Sequence, residues 1–180
     1  MQYRLLGNSG LRVSEAALGA MTFGEEWGWG SPRDEAHKVY DAFREAGGNF
    51  IDTANFYTNG TSESFIGEFM KGHRQSVVLA TKYSNAAPGT DPNAAGNQRK
   101  NMMQAVEASL NRLQTDYIDL YWVHIWDQIT PVEEVMRGLD DLECFMSAFP
   151  MLPPGGSRRR TRWRTCEDGH PSSVCRSNTT

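Results

Sequence analysis

Apolar residues fall into short blocks along the chain, and their spacing switches between alternate and helical. Tyr3-Arg4-Leu5-Leu6 and Leu11-Arg12-Val13 flank a Gly-Asn-Ser-Gly segment. Gly and Asn accept the positive φ of a tight turn, so the pattern predicts a β-hairpin. Ala17 to Phe23 reads as a short buried strand. Ser31-Pro32-Arg33-Asp34 predicts a helix start, with Ser31 as cap, Pro32 at the first helical position and Asp34 near the positive end of the dipole. Val39, Phe43 and Ala46 are expected on the buried face of that helix, and Gly47-Gly48 is expected to end it.

The unit then repeats. Phe50 to Ala54 predicts a strand, Glu63 to Lys71 a short helix carrying Phe65, Ile66 and Phe69, and Val77 to Thr81 a β-prone apolar run. Residues 83–98, rich in Asn, Ala, Gly and Pro, predict a long loop of the kind that carries function. Arg99 to Gln114 places Met103, Val106, Leu110 and Leu113 on one helical stripe. Tyr117 to Val123 predicts a fourth strand, and Thr130 is expected to cap a helix over Pro131 to Leu142 with Glu133 and Glu134 in its first turn.

Strands alternating with helices at this spacing predict βαβ units and a parallel sheet. An open doubly wound sheet would carry a phosphate-binding turn after its first strand, and no G-x-G-x-x-G or P-loop pattern occurs. A (β/α)₈ barrel instead sets its chemistry at the C-terminal ends of several strands. Asp52, Lys82 and His124 stand at or just past predicted strand ends, and Tyr57 lies in the loop after one. Each has an ordinary reading when taken alone: a turn-capping Asp, a strand-end Lys, a core His, a loop Tyr. Their joint placement favours a site.

Composition supports a soluble domain of 180 residues, with 39% hydrophobic and 22% charged positions and no apolar run near the roughly 20 residues of a membrane helix. MQYRLLGNSG lacks the basic start and apolar core of a secretory signal, which predicts a cytoplasmic protein. The net charge of −4 is the sum of two unlike segments. Residues 1–142 hold 12 Lys or Arg against 19 Asp or Glu, whereas residues 143–180 hold six Arg, no Lys and three acids. All three cysteines, Cys144, Cys166 and Cys175, lie in the second segment. A cysteine-free first segment fits a reducing compartment. Two units are therefore expected, a folded 1–142 and an irregular 143–180 tail rich in Arg, Pro, Gly and Ser.

The blocks ALGAMTFG, GGNFIDTANFYTNGTSESFIGEF, VVLATKYS and SLNRLQTDYIDLYWVH follow one another at characteristic separations, and residues 3–142 resemble the N-terminal half of an aldo-keto reductase. The resemblance implies an α/β protein of the (β/α)₈ TIM-barrel family, represented here by the hairpin and about four β/α units. It also implies reduction of an aldehyde or ketone to an alcohol, NADPH as the expected cofactor with NADH left open, and no metal. Hydride addition leaves negative charge on oxygen, so such a site needs an acid to protonate it and donors to polarise it. A tyrosine hydroxyl is a weak acid at neutral pH, and a cation beside it eases proton release. The resemblance assigns these parts to Tyr57 as proton donor, Lys82 as its activator, Asp52 as partner of Lys82 and His124 as the donor that orients the substrate carbonyl. Gly19, Ala20, Met21 and Thr22, with Asp52, are implied to line the nicotinamide pocket. Trp27, Trp29 and Trp126 could wall an apolar substrate cleft or be surfaces without a partner.

Past Leu142 a family member would continue with a Gly-Lys turn, a fifth strand ending in Gly-x-Ser and three more β/α units. Here the chain reads ECFMSAFPMLPPGGSRRRTRWRTCEDGHPSSVCRSNTT, without helical or strand periodicity. A reading-frame shift near codon 142 is expected to be the cause. Read one frame over with free wobble bases, residues 143–151 permit Met-Phe-Tyr-Val-Gly-Ile-Ser-Asp, which resembles the missing strand. The rival reading makes RRRTRWR a nucleic-acid patch, the weaker alternative because basic runs are usually solvated. Four strands cannot close a barrel, so marginal folding and little turnover are expected of the chain alone. Two functional classes stay open. One is an oxidoreductase acting on a small carbonyl compound; the other is a non-catalytic remnant or binding module, akin to the reductase-like subunits that accompany potassium channels. Substrate identity and oligomeric state are not written in these residues.

Overall fold

The computed structural model describes residues 1–85, 91–147, 162–165 and 174–177. β1 (Tyr3–Leu5) and β2 (Arg12–Ser14) form the expected antiparallel hairpin, with Tyr3 opposite Ser14. β3 (Ala17–Gly19), β4 (Phe50–Asp52), β5 (Val78–Tyr83) and β6 (Leu120–Val123) form one parallel sheet in chain order. α1 (Arg33–Glu45), α2 (Thr61–Phe69) and α3 (Arg99–Leu113) make the crossovers, and α4 (Val132–Ser147) follows β6. Strand order equal to chain order, without a reversal, is the arrangement of a β/α barrel; a doubly wound sheet would switch direction.

Side chains alternate across each strand and build two apolar layers. Ile51, Leu79, Tyr83 and Tyr121 pack outward against the helices with Tyr40, Ile66, Met102, Val106 and Leu139. Val78, Ala80 and Leu120 pack inward, where Val13 of the hairpin covers them with Phe50 and Trp122 alongside. Asp52 and Lys82 continue the inward rows of Phe50 and of Val78 and Ala80. The register pairs Gly19 with Asp52, Asp52 with Ala80 and Lys82 with Trp122, which brings the polar strand ends to one edge of the inner layer.

The helical phase of α1 differs from expectation. Ala36 and Tyr40 are fully buried and Phe43 half-buried, whereas Val39 is 47% exposed and Ala46 is exposed. Tyr40 takes the core seat because its hydroxyl bonds the His73 ring at 2.7 Å while its ring packs on Phe69. Ser31 does not cap α1: Pro32 is the N-cap, and no side chain caps the helix. The Ser31 backbone instead pairs with the loop after β3, donating to the Thr22 carbonyl and accepting from Gly24 N–H. The Thr130 hydroxyl likewise donates to Asp127.

β3 ends at Gly19, before Phe23, β6 starts at Leu120, after Tyr117, and α4 runs to Ser147, past Leu142. Within the tail, β7 (Arg162–Thr165) and β8 (Val174–Ser177) pair antiparallel, Arg162 opposite Ser177. These segments, RWRT and VCRS, lack the apolar runs that mark β4 and β6 in the sequence. Residues 86–90 of the long loop, most of the arginine run and Cys166 lie outside the described residues. Among the described residues no helix is long and apolar enough to cross a membrane.

Candidate active site

Lys82 is the hub of the inner edge. An ammonium group has three N–H donors, and here all three are engaged. Lys82 Nζ donates to Asp52 Oδ2 at 2.6 Å, to the Thr53 carbonyl at 2.8 Å and to the Tyr57 hydroxyl oxygen at 3.0 Å. Its side chain is 16% exposed and that of Asp52 31%, so the ion pair is shielded but reachable from the cleft. Adjacent parallel strands fix this pair, since Asp52 ends β4 and Lys82 lies two residues past its β5 register partner Ala80.

Tyr57 needs more than a strand end to reach Lys82. It opens a short 3₁₀ turn, Tyr57–Gly60, in which Thr58 and Asn59 adopt φ of 47° and 55° and Gly60 φ of 96°. A left-handed β-branched residue is strained unless its surroundings hold it. Thr58 Oγ1 donates to the Phe23 carbonyl at 2.5 Å and accepts from Ser62 N–H at 3.1 Å, bolting the turn between the loop after β3 and the first turn of α2.

His124 follows β6, its N–H donating to the Tyr83 carbonyl at 2.9 Å. The imidazole stands edge-on to Tyr57 with ring centroids 5.6 Å apart. Burial lowers its pKa, the neighbouring Lys82 cation lowers it further, and Asp52 partly opposes them. Among the described residues, His124 Nδ1 is buried and has no hydrogen-bond partner.

The other expected site residues divide. Gly19, Met21 and Thr22 are exposed at the end of β3, and a Cβ added at Gly19 would meet no atom within 4 Å. Ala20 is fully buried, its N–H bonded to the Asp52 carbonyl and its carbonyl to Ser62. Trp27 packs on Trp29 and on Phe56, both at 5.6 Å, which places an aromatic cluster beside the residue preceding Tyr57. Trp126 is half-buried against the outer core. Residues not singled out from the sequence, namely Thr53, Thr58, Asn97 and Asp127, supply much of the support. Their only local signal is that they are polar and follow or precede strand and helix ends. Two surface depressions, one around Arg74 and Tyr117 and one around Tyr3 and Asn49, lie at the opposite end of the strands. Among the described residues no cluster of His, Cys, Asp or Glu could hold a metal ion.

A model of the aldo/keto reductase family matches residues 16–144. The chain belongs to the aldo-keto reductase family. It is 47% identical over 151 residues to norsolorinic acid reductase of Aspergillus flavus, covering 78% of this chain and 39% of that one. It is 46% identical to an NADP(+) aryl-alcohol dehydrogenase of Phanerodontia chrysosporium, covering 77% and 40%. The holo form of an aldo-keto reductase from Bacillus halodurans superposes with a TM-score of 0.71 at 36% identity, covering 81% of this chain and 47% of that one. The chain thus spans about two fifths of the length of these curated relatives. In such a barrel the C-terminal ends of the strands are the catalytic face, and Asp52, Tyr57, Lys82 and His124 converge there.

Proposed function

We propose that this chain carries the acid–base machinery of an NADPH-dependent reductase acting on small carbonyl compounds, aryl aldehydes or ketones foremost. The observation that carries the reading is the three-way placement of Lys82, which holds one cation on both a carboxylate and a phenol oxygen. When bound, the reduced nicotinamide supplies the hydride. The open surface at Gly19, Met21 and Thr22, beside the partly exposed Asp52, fits a flat ring there. Tyr57 gives its proton to the substrate oxygen as the carbonyl is reduced, and the phenolate left behind lies against the Lys82 ammonium. Asp52 and the Thr53 carbonyl keep that ammonium in place. His124 is the orienting donor. With Nδ1 buried and without an acceptor, its proton belongs on Nε2, since an orphaned buried N–H is costlier than an orphaned lone pair. Its lowered pKa keeps the ring neutral and the proton available as a hydrogen bond. Trp27, Trp29 and Phe56 offer the apolar wall an aryl group would use.

The test is NADPH consumption by the purified chain with an aryl aldehyde. Turnover abolished in Tyr57→Phe and in Lys82→Met supports the assignment; turnover indifferent to both would overturn it. Residues from 143 onward are proposed to lie outside the reductase unit, a boundary supported by the family match ending at residue 144. A cytoplasmic location fits the cysteine-free 1–142 segment.

A further inference from the structure

The segment after His124 is held in an unusual way. Ile125 is 56% exposed and Ile129 86% exposed, so little apolar packing fixes this stretch beyond Trp126. Side chains from the neighbouring β5 loop pin its backbone instead. Ser84 Oγ accepts from Ile125 N–H at 2.8 Å, and Asn97 Nδ2 donates to the Ile125 carbonyl at 2.7 Å. Asn97 Oδ1 accepts from Asp127 N–H at 2.7 Å, while Asn97 N–H donates back to Asp127 Oδ2 at 2.7 Å. The Asp127 carboxylate also accepts from Ile129 N–H, Thr130 N–H and the Thr130 hydroxyl at 2.7 to 3.0 Å.

We propose that Asp127 and Asn97 are positioning residues for His124, their reciprocal hydrogen bonds locking the loop after β6 to the loop after β5 and so fixing the imidazole beside Tyr57. The inference rests on the reading of His124 as the substrate-facing donor. Four geometric facts carry it. Asn97 is fully buried, its side-chain oxygen and nitrogen and its backbone N–H all take part in this exchange, and its own carbonyl accepts from the Tyr83 hydroxyl. The pinned groups begin at the residue directly after His124. The clamp joins Ser84 and Asn97 of the segment after β5, the strand that carries Lys82, to the segment after β6 that carries His124. The fit is close, because Gly96 adopts φ of 88° and a Cβ there would lie 3.0 Å from Asp127 Oδ2. A carboxylate suits the post because both oxygens accept, and an amide would have to turn its NH₂ toward one set of donors. Burial alone would raise the pKa of Asp127, yet the hydrogen bonds from Asn97, Thr130 and Ile129 outweigh it and hold the value at about 2, so the clamp stays charged.

The experiment reads His124 itself. Its ring resonance, assigned with His124→Gln, is titrated by NMR in the full chain carrying Asp127→Ala, Asn97→Ala or Ser84→Gly, with Val77→Ala as a control for loosening elsewhere. The groups facing the ring are Lys82, Asp52 and Tyr57, and none of these substitutions alters them. Release of the loop lets water reach the imidazole, so the midpoint is expected to rise toward the ordinary value of about 6.5 in Asp127→Ala and Asn97→Ala. Ser84→Gly should move it less, and Val77→Ala not at all. Where turnover is measurable, kcat falls on the order of tenfold to a hundredfold in the first two variants, with the KM for NADPH unchanged. Wild-type midpoints in folded Asp127→Ala and Asn97→Ala, or an equal shift in Val77→Ala, overturn the proposal. If Asp127→Ala does not fold, Asn97→Ala and Ser84→Gly decide. Absence of turnover in the unsubstituted chain would count against the functional reading while leaving the titration to judge the clamp.

Discussion

Replacing Arg112 with Met tests how the helix behind the Tyr57 turn is held. Glu63, in the first turn of α2, is fully buried. One carboxylate oxygen accepts from Arg112 Nε at 2.7 Å, with Arg112 Nη2 at the same distance, and the other accepts from the Thr81 hydroxyl at 2.6 Å. Three elements, α2, α3 and β5, meet on this single charge. Arg112→Met removes the cation and leaves a buried carboxylate with one hydroxyl for company. Breaking a buried pair from one side costs about 3 to 5 kcal/mol. The Arg112 side chain is 30% exposed, so water can enter the space it leaves, and the lower end, about 3 kcal/mol, is the expected loss. At roughly 2 to 4 °C per kcal/mol for a chain of this size, Tm should fall by about 6 to 12 °C.

Urea unfolding of the full chain, followed by tryptophan fluorescence and by circular dichroism together, measures the loss and checks that one transition is seen. The double variant Glu63→Met with Arg112→Met is the decisive comparison, because two apolar side chains of similar volume remove the stranded charge along with its partner. It should recover most of the stability, to within about 1 kcal/mol of the original chain. An Arg112→Met loss below about 1 kcal/mol, or a double variant as unstable as the single, would refute the reasoning.

Three further outcomes are expected. Tyr121 is fully buried and its hydroxyl has no hydrogen-bond partner among the described residues, so Tyr121→Phe should leave stability unchanged or raise it by up to about 1 kcal/mol in the same urea assay. Gly67 faces α3 so closely that a Cβ would lie 2.6 Å from the Arg112 carbonyl oxygen, and Gly67→Ala should cost about 1 to 3 kcal/mol by forcing α2 off α3. Because burial and Lys82 lower the folded pKa of His124, the unfolded chain binds that proton more readily. Stability should therefore rise with pH between the folded value and about 6.5 and level off above, a slope that His124→Gln removes and that urea midpoints from about pH 5 to about pH 7.5 would record.

Most of the fold was legible because strand and helix are repeating states, and repetition writes a period into the residues they bury. The hairpin around Gly-Asn-Ser-Gly and the sequential parallel order follow from such periods, whereas on α3 only Val106 and Leu113 of the expected stripe are buried, Met103 and Leu110 are partly so, and Met102, Ala105 and Ser109 share the buried face. The misreadings fall where one residue's chemistry decides. Val39 and Tyr40 are neighbours on α1, and hydrophobicity alone favours Val39 for the core. Tyr40 takes the place because His73, 33 residues on, satisfies its hydroxyl. Ser31 has the composition of a cap, yet its backbone is engaged by Thr22 and Gly24 nine and seven residues earlier. The β7–β8 pair left no mark because its segments, RWRT and VCRS, lack the apolar runs that mark β4 and β6.

The candidate site divides along the same physical line. A parallel sheet fixes the distance between neighbouring strand ends without help from any loop, so a carboxylate ending β4 and a lysine near the end of β5 must come together once the register is set, and they do at 2.6 Å. The strand-end positions of both residues were therefore readable, while their pairing was implied by the resemblance. Tyr57 and His124 stand beyond the strands, where the backbone has no ladder to follow, and each is brought to the hub by contacts that span the chain. Thr58 reaches back 35 residues to Phe23, and Asn97 reaches forward 30 residues to Asp127. No local pattern encodes such partners, since each is an ordinary polar loop residue until the fold supplies its other half. The sheet thus places the charge, and these two loop clamps place the groups that would donate the proton and orient the carbonyl. Weakening a clamp should accordingly alter the chemistry at Tyr57 or His124 while leaving the Asp52–Lys82 pair intact.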